Sequence, residues 1–397
     1  LVSGRKGAIL HSFQIQMKYP IYLDYNATTP CPTEVIEAMT PWFGQHFGNA
    51  ASKNHPYGWM AEDAVETARE QIANLIGAKP KEIIFTSGAT EAINLALKGI
   101  FEFYLGQKQH YISCQTEHKA VLDTLKHLES KGAEVTYLPV NRAGEIAIEQ
   151  LRSSILPHTK MIALMWANNE TGMIHPIEEI KEIAKERDII FFTDAVQAAG
   201  KIPIEINGIH LMALSAHKMY GPKGIGALYI RHNHHLPKPL PLIDGGGHEK
   251  GFRSGTLNVP AIVGFGTAAE LRSKNQILEA DRLEKLRNLL ESELLTLVGT
   301  KINGSINHRL KHVSNIAFEG VEGEELLKRV NRELAVSSGS ACTSISPKPS
   351  HVLAAMGLVS DLGRASIRFS LGLNTTEADI LFAAEYVKKV VEELRKS

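Results

Sequence analysis

Four short segments carry side chains whose types and spacing could do chemistry. The first, Thr86-Ser87-Gly88-Ala89-Thr90-Glu91, follows a strand-like run and opens a helical pattern from Ala92 to Phe103. Small residues at a helix start leave backbone amides exposed at the positive end of the helix dipole, which suits a phosphate. Ser87 and Thr90 serve equally well as ordinary caps. The second, Phe192-Thr193-Asp194-Ala195-Val196-Gln197, ends a very apolar run with a carboxylate. A carboxylate desolvated on one side is costly without a cation beside it, and a pyridinium nitrogen would serve; a helix cap is the plainer alternative.

The third segment, Leu214-Ser215-Ala216-His217-Lys218-Met219-Tyr220-Gly221-Pro222, places a lysine directly after a strand-like run. A partly desolvated lysine has a depressed pKa and can form an imine, or it can bind phosphate. Lys201 and Lys223 read as surface lysines. The fourth, Ser337-Ser338-Gly339-Ser340-Ala341-Cys342-Thr343-Ser344, is followed by Pro347 and Pro349 and describes an exposed loop rather than a packed strand. Cys342 is therefore the candidate nucleophile, whereas Cys114, ending a strand-like run, and Cys31, between two prolines, read as structural. Phosphate cradle, pyridinium acid and lysine, in that order, point to a pyridoxal 5'-phosphate site with Lys218 as the imine candidate.

These segments need a scaffold that brings them to one edge. Strand-like runs at 83–86, 110–113, 135–140, 160–165, 189–193 and 211–215 alternate with helical stretches such as 57–76, 121–130 and 177–186. The alternation predicts an α/β fold, a mostly parallel sheet covered by helices, with ligands beyond the carboxyl ends of the strands. After about Ala268 the pattern changes to a charged helix at 278–297, strand-like runs at 313–318 and 367–370, and a helix from Thr376 onward. We expect residues 30–268 to form a large cofactor-binding domain. Residues 17–29 and 269–397 are expected to form a smaller α+β domain carrying the cysteine loop. Residues 1–16 read as a vector-derived or disordered leader, with Met17 the natural start.

Composition narrows the class. The 43 Lys plus Arg equal the 43 Asp plus Glu, and no stretch gathers basic residues, so neither nucleic acid nor a membrane surface is an expected partner. The apolar runs fall far short of the roughly 20 residues of a membrane helix. Three cysteines cannot form a disulfide framework, which favours a reducing, cytoplasmic setting. The cluster His232, His234, His235 lies among prolines without zinc-ligand spacing, and no metal is expected.

Taken in order, the segments resemble the cysteine desulfurases of the NifS/IscS type, within the fold-type I pyridoxal-phosphate enzymes, from Tyr22 to Lys396. The resemblance also rests on Tyr22-Leu23-Asp24-Tyr25-Asn26-Ala27-Thr28-Thr29-Pro30, Thr116-Glu117-His118-Lys119, Asn168-Asn169-Glu170-Thr171-Gly172, Gly245-Gly246-Gly247-His248-Glu249, Arg253-Ser254-Gly255-Thr256 and Ser366-Ile367-Arg368-Phe369-Ser370. It implies a homodimer that takes sulfur from L-cysteine onto Cys342, leaves L-alanine, and passes the sulfur to an acceptor or iron-sulfur scaffold protein. Lys218 would carry the cofactor and move the substrate's α proton. Ala89, Thr90, Ser215 and His217 would hold the phosphate, with Thr256 reaching across from a second subunit. His118 would stack on the ring, Asp194 would keep its nitrogen protonated, and Asn169 and Gln197 would contact the ring oxygen. Arg368, with Asn169 beside it, would grip the substrate carboxylate. His210, Trp166 and Pro347-Lys348 depart from the family pattern.

Overall fold

The computed structural model describes residues 19–232, 237–338, 350–358 and 361–396. Cys342, His234, His235 and the expected leader lie outside these residues.

Seven strands form the main sheet: β1 (Ile83–Thr86), β2 (His110–Cys114), β3 (Glu134–Leu138), β4 (Thr159–Ala163), β5 (Ile190–Asp194), β6 (Leu211–Ser215) and β7 (Gly226–Ile230). Their order is β1-β7-β6-β5-β4-β2-β3. Every pair from β6 to β3 is parallel, and only β7 runs against its neighbours β1 and β6. Strands such as Ile190–Asp194 and Leu211–Ser215 are buried throughout, as a sheet covered on both faces requires. Two groups of buried apolar side chains flank this sheet, one including Ile112, Ile162 and Phe191, the other Tyr111, Met161 and Phe192. The alternation along each strand sends neighbouring residues to opposite groups.

With one antiparallel strand inserted between β1 and β6, the carboxyl ends of β1, β2, β4, β5 and β6 still share an edge. Of the exits at that edge, five, at Thr86, Cys114, Ala163, Asp194 and Ser215, lead into quoted motifs, while the exit of the outermost strand β3 at Leu138 does not. Strand β7, an apolar run after the Gly221-Pro222-Lys223-Gly224 turn, is not among the expected strands, and it begins with glycine. That glycine is needed: a Cβ on Gly226 would sit 2.7 Å from the Cα of Gly88.

A separate antiparallel sheet joins β8 (Thr300–Ile302), β9 (Val313–Phe318) and β10 (Ser366–Ser370), with β9 central. Its apolar face packs with Leu23, Leu290, Leu294 and the C-terminal helix Glu377–Lys396. The helix expected at 278–297 is one 36-residue helix, Val259–Leu294, crossing position 268 unbroken. Its first half packs with the main core through Ile262 and Phe265, and its second half packs with the small sheet through Leu283 and Leu290. The change of sequence pattern marks a change of packing partner along a single helix. Gly264 and Gly266 weaken the helical signal and permit close approach: a Cβ on Gly266 would lie 2.6 Å from Ala68 Cα in helix Pro56–Ile76, and one on Gly264 would meet the Met39 side chain.

Candidate active site

The five strand exits enclose a cavity of about 530 Å³. Ala89, Thr90, His118, Asn169, Asp194, Gln197, Ser215, His217, Lys218 and Arg368 all line it. Thr256 does not; it is exposed on the segment after Arg253.

At the β1 exit, helix Ala89–Phe103 begins at Gly88 with no side chain capping it. The alternative of an ordinary Ser87 or Thr90 cap therefore gives way to an open amide cradle at the positive end of a helix. Glu91 shapes this cradle. Its carboxylate accepts from Ser87 N at 2.7 Å and from Arg253 Nε at 2.9 Å, and against the opposing effect of burial these bonds hold it below the usual carboxylate range. An anion at the cradle thus meets a carboxylate already neutralised by Arg253.

At the β5 exit, Asp194 is buried and its Oδ1 accepts from Val196 N at 3.0 Å. Burial pushes its carboxyl above the ordinary range, opposed by His118, that backbone bond and Lys218. A cationic ring nitrogen is the group that would keep it ionised. At the β2 exit, His118 caps helix Lys119–Glu129, with Nδ1 accepting from Ala120 N at 3.1 Å. Cap and cavity wall are one residue here. Burial lowers its pKa, so the ring is neutral, and the Nδ1 bond fixes the remaining proton on Nε2.

Lys218 follows β6 in a short 3₁₀ turn, Ala216–Lys218. Its Nζ donates to the backbone oxygens of Asn26 and Ala27, each at 2.7 Å. Beside it, burial and the neighbouring lysines push His217 down to about 4, and its Nδ1 lies 3.2 Å from Thr28 Oγ1. Segment 24–29 is thus laid across the lysine turn, and the Thr29 hydroxyl receives the N–H of Tyr220, a residue held at φ 67°.

Arg368, on β10, reaches the cavity from the small sheet. Its Nη1 donates to Asn169 O at 3.0 Å and its Nη2 to Asp24 Oδ1 at 2.6 Å. Its Nε is buried with no partner among the described residues. A guanidinium oriented from behind, with donors left over, is suited to a carboxylate ligand.

Several residues matter here that the sequence reading did not assign. Asp24 orients Arg368. Asn26 binds five groups: its N donates to Ser370 Oγ, its Nδ2 to Asn169 O, its Oδ1 accepts from His312, and its carbonyl accepts from Lys218 and Gln197. Both lie in the quoted Tyr22–Pro30 motif, where their polarity between apolar neighbours was the available signal. Glu117 is wholly buried; Met165 N donates to its Oε1 at 2.6 Å, and burial raises its pKa well above the carboxylate range. His351 also lines the cavity, its Nε2 2.9 Å from Glu117 O. Lys201, read as a surface lysine, instead turns inward behind the cavity wall, its Nζ donating to Gln197 Oε1 at 2.6 Å. Lys223 is exposed at the cavity rim.

The two described cysteines are poor thiolates. Cys114 is buried against Thr116 and burial pushes its thiol up to about 11; Cys31 is half-buried and also raised by burial. His210 is structural: its Nδ1 accepts from Phe191 N at 2.9 Å, which fits a local change only.

The fold and this donor set define a class, and residues 21–382 match the class-V aminotransferase family. The chain belongs to that family. It is 51% identical over 386 residues, 96% of this chain and 94% of the other, to a protein of Anaeromyxobacter sp. (strain Fw109-5) named cysteine desulfurase IscS. A Neisseria meningitidis protein of the same name is 48% identical over 382 residues, again 96% and 94% of the two chains. Among solved structures, a NifS-like protein superposes with TM-score 0.87 at 36% identity, covering 95% of this chain and all of that one. The structure described as SspA in complex with cysteine has TM-score 0.80 at 39% identity over 88% of this chain and 98% of the other.

Proposed function

We propose that this chain is a pyridoxal-phosphate-dependent cysteine desulfurase, converting L-cysteine to L-alanine and collecting the sulfur on Cys342. The observation that carries the reading is the convergence of an uncapped helix start, a buried Asp194 and Lys218 on one cavity that Arg368 also enters. Pyridoxal phosphate bound there supplies an electron sink for the substrate's α carbon.

The chain's own residues have separable tasks. Ala89, Thr90, Ser215 and His217 hold the phosphate, and neutral His217 can donate without adding a charge. Asp194 would hold a proton on the ring nitrogen, and the neutral imidazole of His118 would face the ring. Lys218 would hold the cofactor, and its amine is placed to move the substrate's α proton. Arg368 and Asn169 hold the substrate carboxylate. The Cys342 thiolate attacks the substrate sulfur, forming an S–S bond as the carbon–sulfur bond breaks. The electron pair of the broken bond stays with the carbon, which takes up a proton to become the methyl group of alanine. The sulfur leaves Cys342 for an acceptor thiol, in iron-sulfur assembly or tRNA thiolation.

A homodimer, with Thr256 completing the neighbour's phosphate site, fits its exposure away from this chain's own cavity. No helix among the described residues is long and apolar enough to cross a membrane. Borohydride reduction of the reconstituted protein followed by peptide mapping tests the reading: the label belongs on Lys218, and a label on Lys201 or Lys223 would refute the assignment.

A further inference from the structure

We propose that Lys201 is a positioning residue for the cofactor ring, acting through the amide of Gln197. Lys201 does not line the cofactor cavity. It lines a neighbouring space of about 20 Å³ with Tyr220, Arg272, Glu279 and His312, and from there its Nζ donates to Gln197 Oε1 at 2.6 Å. On its other side Gln197 lines the cofactor cavity, and its Nε2 donates to the Asn26 carbonyl at 3.1 Å.

The two partners leave no ambiguity about which way the amide faces. The Asn26 carbonyl can only accept and so must meet the amide nitrogen, which leaves the amide oxygen facing the Lys201 amine as its donor. Gln197 is therefore fixed with its oxygen turned to Lys201 and its NH₂ turned to the Asn26 side, where one N–H is used and the second remains to donate. Without Lys201 the amide keeps only its bond to the Asn26 carbonyl and can swing about it, carrying the second N–H away from the position it held. A ring oxygen carrying partial negative charge is met by a donor in the first arrangement and loses it in the second.

The amine is costly where it sits. Burial, with Lys218, Arg368 and Arg272 nearby, pushes Lys201 well below the ordinary lysine range, and Glu279 opposes this only in part. Glu279 is itself engaged by Arg272 and by Tyr220 Oη at 3.0 Å. A surface lysine would make no such arrangement; a lysine retained to orient one amide does. Gly200, at φ 73°, gives the turn that sends Lys201 inward, where a Cβ would meet Met219 and Arg272 side chains at 3.1 Å.

This inference rests on Gln197 facing the cofactor ring, and the test separates the two. Lys201→Met, Gln197→Leu and the double variant are reconstituted with pyridoxal phosphate, and the dissociation constant and the visible absorption maximum of the bound cofactor are measured. Lys201→Met is expected to weaken binding about tenfold, the loss of roughly one hydrogen bond, and to shift the maximum in the direction of Gln197→Leu. The double variant is expected to match Gln197→Leu alone, and Lys201→Gln, which can still donate to the amide oxygen, to keep the original spectrum. A shifted Gln197→Leu beside an unshifted Lys201→Met overturns the role of Lys201 alone, as does full additivity in the double variant or a Met-like spectrum for Lys201→Gln. An unshifted Gln197→Leu removes the ring-facing reading of Gln197, and the role of Lys201 with it.

Discussion

The Nζ of Lys218 lies 2.7 Å from the backbone oxygen of Asn26, a residue 192 positions earlier in the chain. That carbonyl also accepts from Gln197, while the Asn26 side chain spans from Asn169 O to His312. One asparagine thus ties the lysine turn, the Asp194–Gln197 exit, the Asn169 loop and the strand carrying Arg368 into a single arrangement. The main-sheet edge supplies most of the polar groups, and the segment at 24–29 sets their spacing.

Asn26→Ala keeps the backbone bonds but removes those to Asn169 O and His312, leaving a buried imidazole N–H without its acceptor. We expect a loss of about 2 kcal/mol in unfolding free energy. A raised KM for cysteine should accompany it, because Asn169 O also orients Arg368. Denaturant melts and steady-state alanine release read these two effects separately.

Asp194→Asn removes the charge that holds a proton on the ring nitrogen while keeping shape and the bond to Val196 N. Turnover should fall by about a hundredfold, the scale of losing one preorganised electrostatic partner, with cofactor still bound. Retention of normal turnover in a colour-bearing Asp194→Asn protein would contradict the assigned role.

Acid should destabilise the fold through His175. Both its ring nitrogens are buried without partners among the described residues, and burial pushes its pKa to about 4. Its folded pKa lies below the unfolded value, so between the two the unfolded state binds the extra proton. Its contribution is present above about pH 6.5 and is lost as pH falls toward 4; at pH 5 the loss is about 2 kcal/mol. Melting temperatures of the parent and of His175→Leu at pH 7 and pH 5 test this: the variant should show the smaller drop.

The buried pair Arg69–Glu249 anchors the Gly245–Gly247 connection beneath the cradle. Glu249 accepts from Arg69 Nη1 and Nη2, each at 2.8 Å, and from the N–H of Phe85 at 2.7 Å. Glu249→Ala leaves a buried guanidinium uncompensated and should cost about 3–5 kcal/mol, read by chemical denaturation. Arg69→Met with Glu249→Leu together should cost less than Glu249→Ala alone, because neither charge is then left buried by itself.

Much of this was legible in the sequence, for physical reasons. The strand-like runs at 83–86, 211–215 and 313–318 coincide with β1, β6 and β9 because fully buried strands are apolar from end to end. Ten of the assigned binding residues meet in one cavity because motifs that follow parallel strands must share an edge. The first half of helix Val259–Leu294 is harder to read, because glycines that permit close backbone approach weaken the local signal they serve, and the short apolar run of β7 stands outside the expected strands. Lys201 was misread because nothing in its own neighbourhood of sequence shows that Gly200 turns it inward. Asp24 and Glu117 act through partners 344 and 48 positions away, a distance at which sequence periodicity carries nothing.

The most direct measurement is to incubate the purified, cofactor-loaded protein with L-cysteine, quantify alanine, and determine the intact mass of the protein before and after a reducing thiol. The account predicts stoichiometric alanine, one added sulfur that maps to Cys342 and is removed by the thiol, and neither product from Cys342→Ser, which still binds cofactor. Alanine released at the parent rate by Cys342→Ser, or a sulfur carried on Cys31 or Cys114 instead, would contradict it.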